Sequence, residues 1–379
     1  MTIGVLHICD KFGVAGSSIH GVSRLFSWWF PRYDPTRFEV TLCGLKSPEP
    51  ASLLLQTQNV PVTHLGRGRF DPRILTDLVA LGRQRGARIL HVHGYAAADF
   101  GRLAARVLGA KLVLHEHFAD PRMPGYQALA DRLLRSLTHR AIAVSASTRD
   151  FLIRDRFVPR ERVEVIWNGA PLDEFAPVPP ERAEAFRREV GLPTSATVIG
   201  VIGRLSAQKG HRYFLQAAAQ VAEARPDTHF LIVGDGDQEH ALRRQARELG
   251  LEPRLVMTGH RSDIPDALGA IDILCISSTY EGTPLALFEA MASEKAIVST
   301  AVDGCQEVLE DGHTGILVAP QDAGALALGL LNAVDQPAMR RTLARAAREA
   351  SRRYDVSECV NQMQDLYDEL LSERLPTRR

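Results

Sequence analysis

A chain of 379 residues is too long for one ordinary domain and comfortable for two. Apolar residues make up 45%, enough for two cores, yet no uninterrupted apolar run approaches the roughly 18–20 residues of a spanning helix, which excludes an integral helical membrane protein. With 45 basic and 45 acidic residues the net charge is zero, and bulk nucleic-acid binding, which needs a more basic chain, is not expected.

The chain opens with Met1-Thr2-Ile3-Gly4-Val5-Leu6-His7, which lacks the basic and long apolar regions of a signal peptide. It reads as a buried strand, Ile3–Cys9. The loop after it, Asp10–Ser18, carries Gly16 and Ser17, whose N–H groups could meet a phosphate at a helix start or simply turn the chain. Further short apolar runs follow at Phe38–Leu45, Val62–Leu65, Ile89–His93, Lys111–His117, Ala141–Ser145 and Val163–Trp167. Segments with three- and four-residue apolar spacing, such as Pro72–Arg83 and Tyr126–Leu137, lie between most of them. Continuous apolar strands separated by helices predict an α/β fold with a parallel sheet covered on both faces.

Four histidines fall at strand ends, His91 with His93 and His115 with His117. A spacing of two puts both side chains of a pair on one face. Such a set could hold zinc, but acidic and cysteine partners are sparse, so no metal is expected. Contact with sugar hydroxyls, or acid–base assistance, suits His93 and His117 better. His91 and His115 read equally well as packing residues.

Asn168-Gly169 is a turn signal, and four prolines in Ala170–Pro180 mark a linker. The expected division is an N-terminal domain over 1–175, a C-terminal domain over 176–355, and a last helix over 356–379 that crosses back to the first domain. Residues 1–175 hold 23 Lys+Arg against 16 Asp+Glu, a charge of +7, which leaves 22 against 29, or −7, for the remainder. That asymmetry hints at an anionic partner for the first half, either an acceptor or a lipid surface. Arg102, Arg106, Lys111, Arg132, Arg135 and Arg140 gather near its helices and could rest on anionic lipid or form a solvated face.

The second series of strands is Thr197–Ile202, His229–Val233, Leu255–Thr258, Ile271–Ser277 and Ala296–Thr300, with helices at His211–Ala224, Glu239–Leu249 and Pro284–Ala292. The first strand leads into Gly203-Arg204-Leu205-Ser206-Ala207-Gln208-Lys209-Gly210. Arg204 offers a planar fork and Lys209 a point charge, and both could converge on a diphosphate. Gly234-Asp235-Gly236 ends the next strand, and its glycines permit a tight turn or a close backbone approach. Glu281 and Glu289 then bracket Glu281-Gly282-Thr283-Pro284-Leu285-Ala286-Leu287-Phe288-Glu289. Pro284 suits the first position of a helix. Glu281 should therefore sit in the preceding loop and Glu289 a little over one turn inside the helix. Carboxylates can accept from neighbouring hydroxyls, so the pair could hold the two ends of a sugar nucleotide. The free N–H groups of the helix start would then face the diphosphate between. From Asp322 the tail reads as helix, ending in about Val356–Leu371. Five scattered cysteines without a CxxC pair support no disulfide framework, and a reducing cytoplasm is the expected setting.

In order, these motifs resemble the family 4 glycosyltransferases, retaining enzymes of the GT-B fold. The resemblance runs from Gly13 to about Arg348 and rests most on Gly203-Arg204-Leu205 with Lys209-Gly210, Gly234-Asp235-Gly236, and Glu281 through Glu289-Ala290-Met291-Ala292. It implies two Rossmann-like doubly wound domains facing a central cleft. A hexose-type sugar would pass from a UDP-, GDP- or ADP-sugar to a glycan or lipid-linked acceptor hydroxyl, with no cofactor and no metal. Residues like Arg204 and Lys209 bind the donor diphosphate in this family. The positions of Glu281 and Glu289 contact the transferred sugar and the ribose, and a His like His93 or His117 lies near the reacting atoms. Gly203, Gly234, Gly282, Thr283, Pro284 and Leu285 complete the donor pocket. A sugar-nucleotide epimerase or a phosphorylase on the same fold is the alternative. One departure stands out: the family's Ala-x-Gly-x-Pro is here Ala292-Ser293-Glu294-Lys295-Ala296.

Overall fold

A computed structural model describes residues 2–13 and 21–373. The chain forms two compact units, one from residues 2–13, 21–168 and 356–373, the other from residues 169–355. The division falls at Asn168/Gly169, ahead of the expected 175. Gly169 takes a left-handed φ of 64° there, and a Cβ on it would stand 2.6 Å from the Tyr354 carbonyl oxygen. The Ala170 N–H donates to that same carbonyl.

The first unit holds seven strands: β1 Ile3–Cys9, β2 Phe38–Gly44, β3 Val62–His64, β4 Ala87–His93, β5 Lys111–Glu116, β6 Arg140–Ala143 and β7 Val163–Val165. They form one parallel sheet in the order β3-β2-β1-β4-β5-β6-β7. Because side chains alternate along a strand, each strand feeds two layers. Leu6, Ile8, Leu90, Val92, Leu112 and Leu114 pack under Ile74 and Leu78 of the helix Arg73–Gln84 and Ala97 and Ala104 of the helix Tyr95–Leu108. The opposite phase carries His7, His91, His93 and His115. It is covered by Phe26 and Trp29 of the helix Gly21–Trp29 and by Tyr367 of the last helix, Val356–Ser372. The last helix therefore belongs to the first unit, as expected.

The second unit has β8 Thr197–Ile202, β9 Thr228–Val233, β10 Leu255–Gly259, β11 Ile273–Ile276, β12 Ala296–Thr300 and β13 Ile316–Val318. These also pair in parallel, in the order β10-β9-β8-β11-β12-β13. Its core sets Ile199, Val201, Phe230, Ile232, Ile273 and Val298 against Phe214 and Leu215 of the helix His211–Ala224 and Leu326 and Leu330 of the helix Ala323–Asp335. β13 was not among the expected strands; it pairs with β12, with Ile316 opposite Val298.

In each sheet the order reverses once, between β1 and β4 and between β8 and β11. Ligands of open α/β sheets bind beyond the carboxyl ends of the strands at such a reversal. No described helix is long and apolar enough to cross a membrane.

Candidate active site

The reversal between β8 and β11 gathers the polar residues of the second unit. After β8 the chain turns through Gly203–Gly210 into the helix His211–Ala224. The turn is anchored from β9: Gly203 N–H donates to Val233 O at 3.0 Å and Leu205 N–H to Asp235 O at 2.8 Å. Gly234 and Gly236 are needed for this approach, since a Cβ on either would stand 2.0 Å from Gly203 O or 2.3 Å from Leu205 O. Both have φ in the positive range, at 145° and 157°. The two glycine motifs thus make one doubled turn.

That turn presents both cations. Lys209 Nζ lies 2.6 Å from Glu281 Oε1, the oxygen that also accepts from Ser278 Oγ at 2.8 Å. Arg204 reaches Gln208 Oε1 at 3.4 Å. His211 donates from Nε2 to the Arg204 carbonyl at 3.0 Å, and burial holds its pKa down at about 4, so it stays neutral at pH 7. The loop after β11 closes on the same turn. Ser277 Oγ donates to Lys209 O at 2.9 Å and Thr279 N–H to Gln208 O at 2.8 Å.

Glu281 is 6% exposed, in the loop ahead of the helix Leu285–Ala292, and Glu289 is fully buried as the fifth residue of that helix. Both placements follow the expectation. Pro284 differs by one position: its ψ of 129° is extended, so it caps the helix and Leu285 is the first helical residue. Gly282 and Thr283 lie between. Gly304 packs so closely that a Cβ would stand 1.8 Å from Gly282 O. The Glu281 N–H donates to Asp303 Oδ2 at 3.1 Å, and burial raises the Asp303 pKa. Where the family pattern has Gly, Glu294 takes a left-handed φ of 54°, so the turn geometry survives the substitution.

Sequence reasoning missed Gln208, Ser277, Ser278, Asp303 and His211. The only sequence signal was position, since all five follow a strand or face a motif already singled out. Gly16 and Ser17 lie outside the described residues.

His93 and His117 belong to the first unit, so they are not grouped with Arg204 or Lys209 by the geometry of either unit. They belong instead to a buried aromatic stack. His91 stacks on His93 at 4.7 Å and His115 on His117 at 4.5 Å between ring centroids. His7, which sequence reasoning passed over, pairs with His91 in register and stacks on it at 4.4 Å. Desolvation drives all five ring pKa values down, to about 3 for His7 and His117 and well below 6.5 for the others. The rings are therefore neutral at pH 7. Ring nitrogens of His93, His115 and His117 lie within 4.8 Å of one another. However, His93 Nδ1 and His117 Nε2 are only 3.0 Å apart. An ion bonded to both at ~2.0 Å would need about 4 Å on a straight line and well over 3 Å at a tetrahedral angle. The present spacing is that of a hydrogen bond.

Arg102 and Arg156 are fully buried. Arg156 bonds Asp131 and Glu116, and Arg102 bonds Asp131 and Thr138. Arg102 is thereby removed from the basic face expected from the sequence. Arg140 is paired with Glu373. At the reversal in this sheet, Asp10 accepts from Ala96 N–H and Ala97 N–H, so a protein carboxylate already fills the helix start after β4.

With this geometry in view, the comparisons are specific. Residues 182–350 match the family described as glycosyl transferases group 1, and residues 32–174 match glycosyltransferase family 4. The chain is 30% identical over 315 residues to the alpha-D-kanosaminyltransferase of Streptomyces kanamyceticus, covering 78% of this chain and 81% of that one. It is 26% identical over 311 residues to an Escherichia coli UDP-Gal:alpha-D-GlcNAc-diphosphoundecaprenol alpha-1,3-galactosyltransferase, covering 79% and 80%. The Anabaena protein Alr3699/HepE, crystallised with UDP, superposes with a TM-score of 0.84 at 23% identity, covering 97% of this chain and all of that one. The chain belongs to the family 4, group 1 glycosyltransferases, and it has the GT-B fold. It is a glycosyltransferase.

Proposed function

We propose that this enzyme moves a hexose-type sugar from a nucleoside diphosphate donor to an acceptor hydroxyl with retention of the anomeric configuration, in glycan, glycolipid or polysaccharide synthesis. The observation that carries the reading is the Lys209–Glu281 pair, set beside Arg204 at the β8/β11 reversal of the second unit. Arg204 and Lys209 bind the donor diphosphate and stabilise the charge that grows on it as the sugar leaves. Glu281 contacts the sugar and Glu289 the ribose. No metal ion is required, because the two cations and the helix N-terminus at Leu285 meet that charge. The acceptor hydroxyl attacks from the face the phosphate leaves, and a phosphate oxygen takes its proton, so no dedicated carboxylate base is needed. The first unit supplies the acceptor side; of its two candidate histidines, half-buried His117 is the one left to meet a ligand, because His93 is buried with both ring nitrogens bonded.

A thermal-shift panel of UDP-, GDP- and ADP-sugars tests the donor. The true donor at 100 times its Kd should stabilise the fold by about 2.7 kcal/mol, read as a rise of several degrees. If none of the three classes shifts unfolding, the reading fails. Products formed from donor alone would point to an epimerase, and products formed with inorganic phosphate to a phosphorylase.

The acceptor side also favours a lipid surface. The helix Gly125–Leu134 exposes Tyr126, Leu129 and Leu133, and Leu133 is 71% exposed. The Phe70 ring, 70% exposed, lies 5.7 Å from that of Tyr126. Arg132 and Arg135 flank this apolar stripe and are exposed. An apolar stripe edged by cations suits the surface of an anionic bilayer, which would place the enzyme at the inner face of a membrane. Co-sedimentation with phosphatidylglycerol vesicles should fall at least tenfold in Leu129→Glu/Leu133→Glu, given about 1.5–3 kcal/mol for each leucine buried. Equal sedimentation of variant and wild type would remove this face from consideration.

A further inference from the structure

Seven side chains of the first unit, six of them buried, join end to end. His117 Nε2 meets His93 Nδ1 at 3.0 Å, and His93 Nε2 meets His7 Nδ1 at 3.0 Å. His7 Nε2 meets the Tyr33 hydroxyl at 3.2 Å, and Tyr33 meets the Tyr367 hydroxyl at 3.1 Å. Tyr367 bonds His91 Nδ1, and His91 Nε2 meets His115 Nδ1 at 3.0 Å. The two outermost nitrogens, His117 Nδ1 and His115 Nε2, are buried and have no hydrogen-bond partner among the described residues. His115 is 1% exposed, whereas His117 is half-buried and forms the accessible end.

Proton counting constrains this chain. A neutral imidazole donates once and accepts once in its plane, and a phenol donates once. Seven neutral groups bring seven protons to six bonds. Each bond takes one, and one proton is left over. If it sits outward on His117 Nδ1, every bond must donate away from His115. If it sits outward on His115 Nε2, every bond reverses. The remaining arrangements leave one phenol proton outside the six bonds, as when Tyr33 donates to the Met363 sulfur, 3.8 Å away, and both outer nitrogens are then acceptors. In no arrangement that keeps all six bonds are both outer nitrogens protonated. Any break in the order leaves a buried polar atom unpaired, which folding disfavours.

We propose that Tyr33 and Tyr367 are positioning residues, which act through this chain to fix the tautomer of His93 and His117. The nitrogen at the accessible end is thereby set as donor or acceptor by a phenol on the last helix, which does not touch it. The chain is not a conduit, because its far end at His115 opens onto no solvent. The tautomer order stands apart from the glycosyl-transfer reading. Only the use of His117 toward a ligand rests on that reading.

The test is ring-nitrogen NMR on protein labelled with 15N-histidine at pH 7.5, with His115 and His117 assigned through His115→Gln and His117→Gln. Wild type should show one tautomer at each ring, with His115 Nε2 and His117 Nδ1 never both protonated. Tyr367→Phe removes two of the six bonds, and Tyr33→Phe removes two while sparing the last helix's bond to His91. In each variant that keeps the wild-type amide spectrum, the His117 signals should change to a mixture of tautomers. Both outer nitrogens protonated in wild type would overturn the proposal. So would unchanged His117 signals in a folded Tyr33→Phe or Tyr367→Phe variant. Neither outcome depends on whether sugar transfer is observed.

Discussion

Lowering the pH from 7 to 5 should unfold the first unit, read as a shift of tryptophan emission. All three tryptophans, Trp28, Trp29 and Trp167, lie in that unit, so the signal is specific to it. The cause is the neutral histidine stack. His7, His91, His93 and His115 are each at most 2% exposed, and burial holds their pKa values far below the ordinary 6.5. The unfolded chain therefore takes up protons first. The stability these rings confer is complete above pH 6.5 and is lost as pH falls below it. For His7 the window runs down to about 3. For His7, pH 5 costs about 1.5 × 1.36, or ~2 kcal/mol. His91, His93 and His115 are shifted in the same direction and add to that loss, which falls on a domain only marginally stable to begin with. Asp10, Asp99, Glu116 and Glu164, whose pKa values burial raises, act in the opposite sense. The rings begin to protonate at higher pH than these carboxyls, and His139, held down at about 4, acts with the rings. Emission unchanged down to pH 4 would refute the neutral-stack account.

Arg204→Ala and Lys209→Ala should each lower kcat for sugar transfer by about 10²–10³, the usual cost of one preorganised donor aimed at developing charge. The two substitutions together should cost less than the product of the two, because both act on the same charge. Lys209→Ala has a second effect. It leaves the Glu281 carboxylate, 6% exposed, accepting from Ser278 Oγ without a cation beside it. A drop in melting temperature should therefore accompany Lys209→Ala and not Arg204→Ala, whose side chain makes one long contact, to Gln208 at 3.4 Å, among the described residues. Full activity in both variants would dismiss the charge-stabilising role.

The strands were legible where they are buried on both faces, because an uninterrupted apolar run such as Thr197–Ile202 has few other readings. β13 was passed over, although its run Ile316–Val318 is as long as those of β3 and β7, which were expected. The cations and carboxylates of the second unit were legible as residues but not as a pair. Lys209 and Glu281 meet only because β8 and β11 are neighbours, and no local pattern encodes that. The histidines were half legible. The two-residue spacing of His91 with His93 and of His115 with His117 put each pair on one face. His7 carried the same anomaly, a polar residue inside an apolar strand, without a second histidine beside it to draw notice. Tyr33 and Tyr367 had no signal at all, because their partners are more than 20 and 270 positions away. The basic face was misjudged at Arg102, where helical position was visible but the facing Asp131 was not.

The first unit closes with residues 356–373, so its parts are separated by the whole of the second. A ribosome must therefore deliver the second unit in full before Tyr367 can cover His91. Until then the histidine-bearing layer of the nascent first sheet lacks its lid, and the second unit, complete earlier, is free to fold ahead of it. Synthesis order and folding order should be inverted for these two units, and the helix that follows the second unit is the one that finishes the unit begun before it.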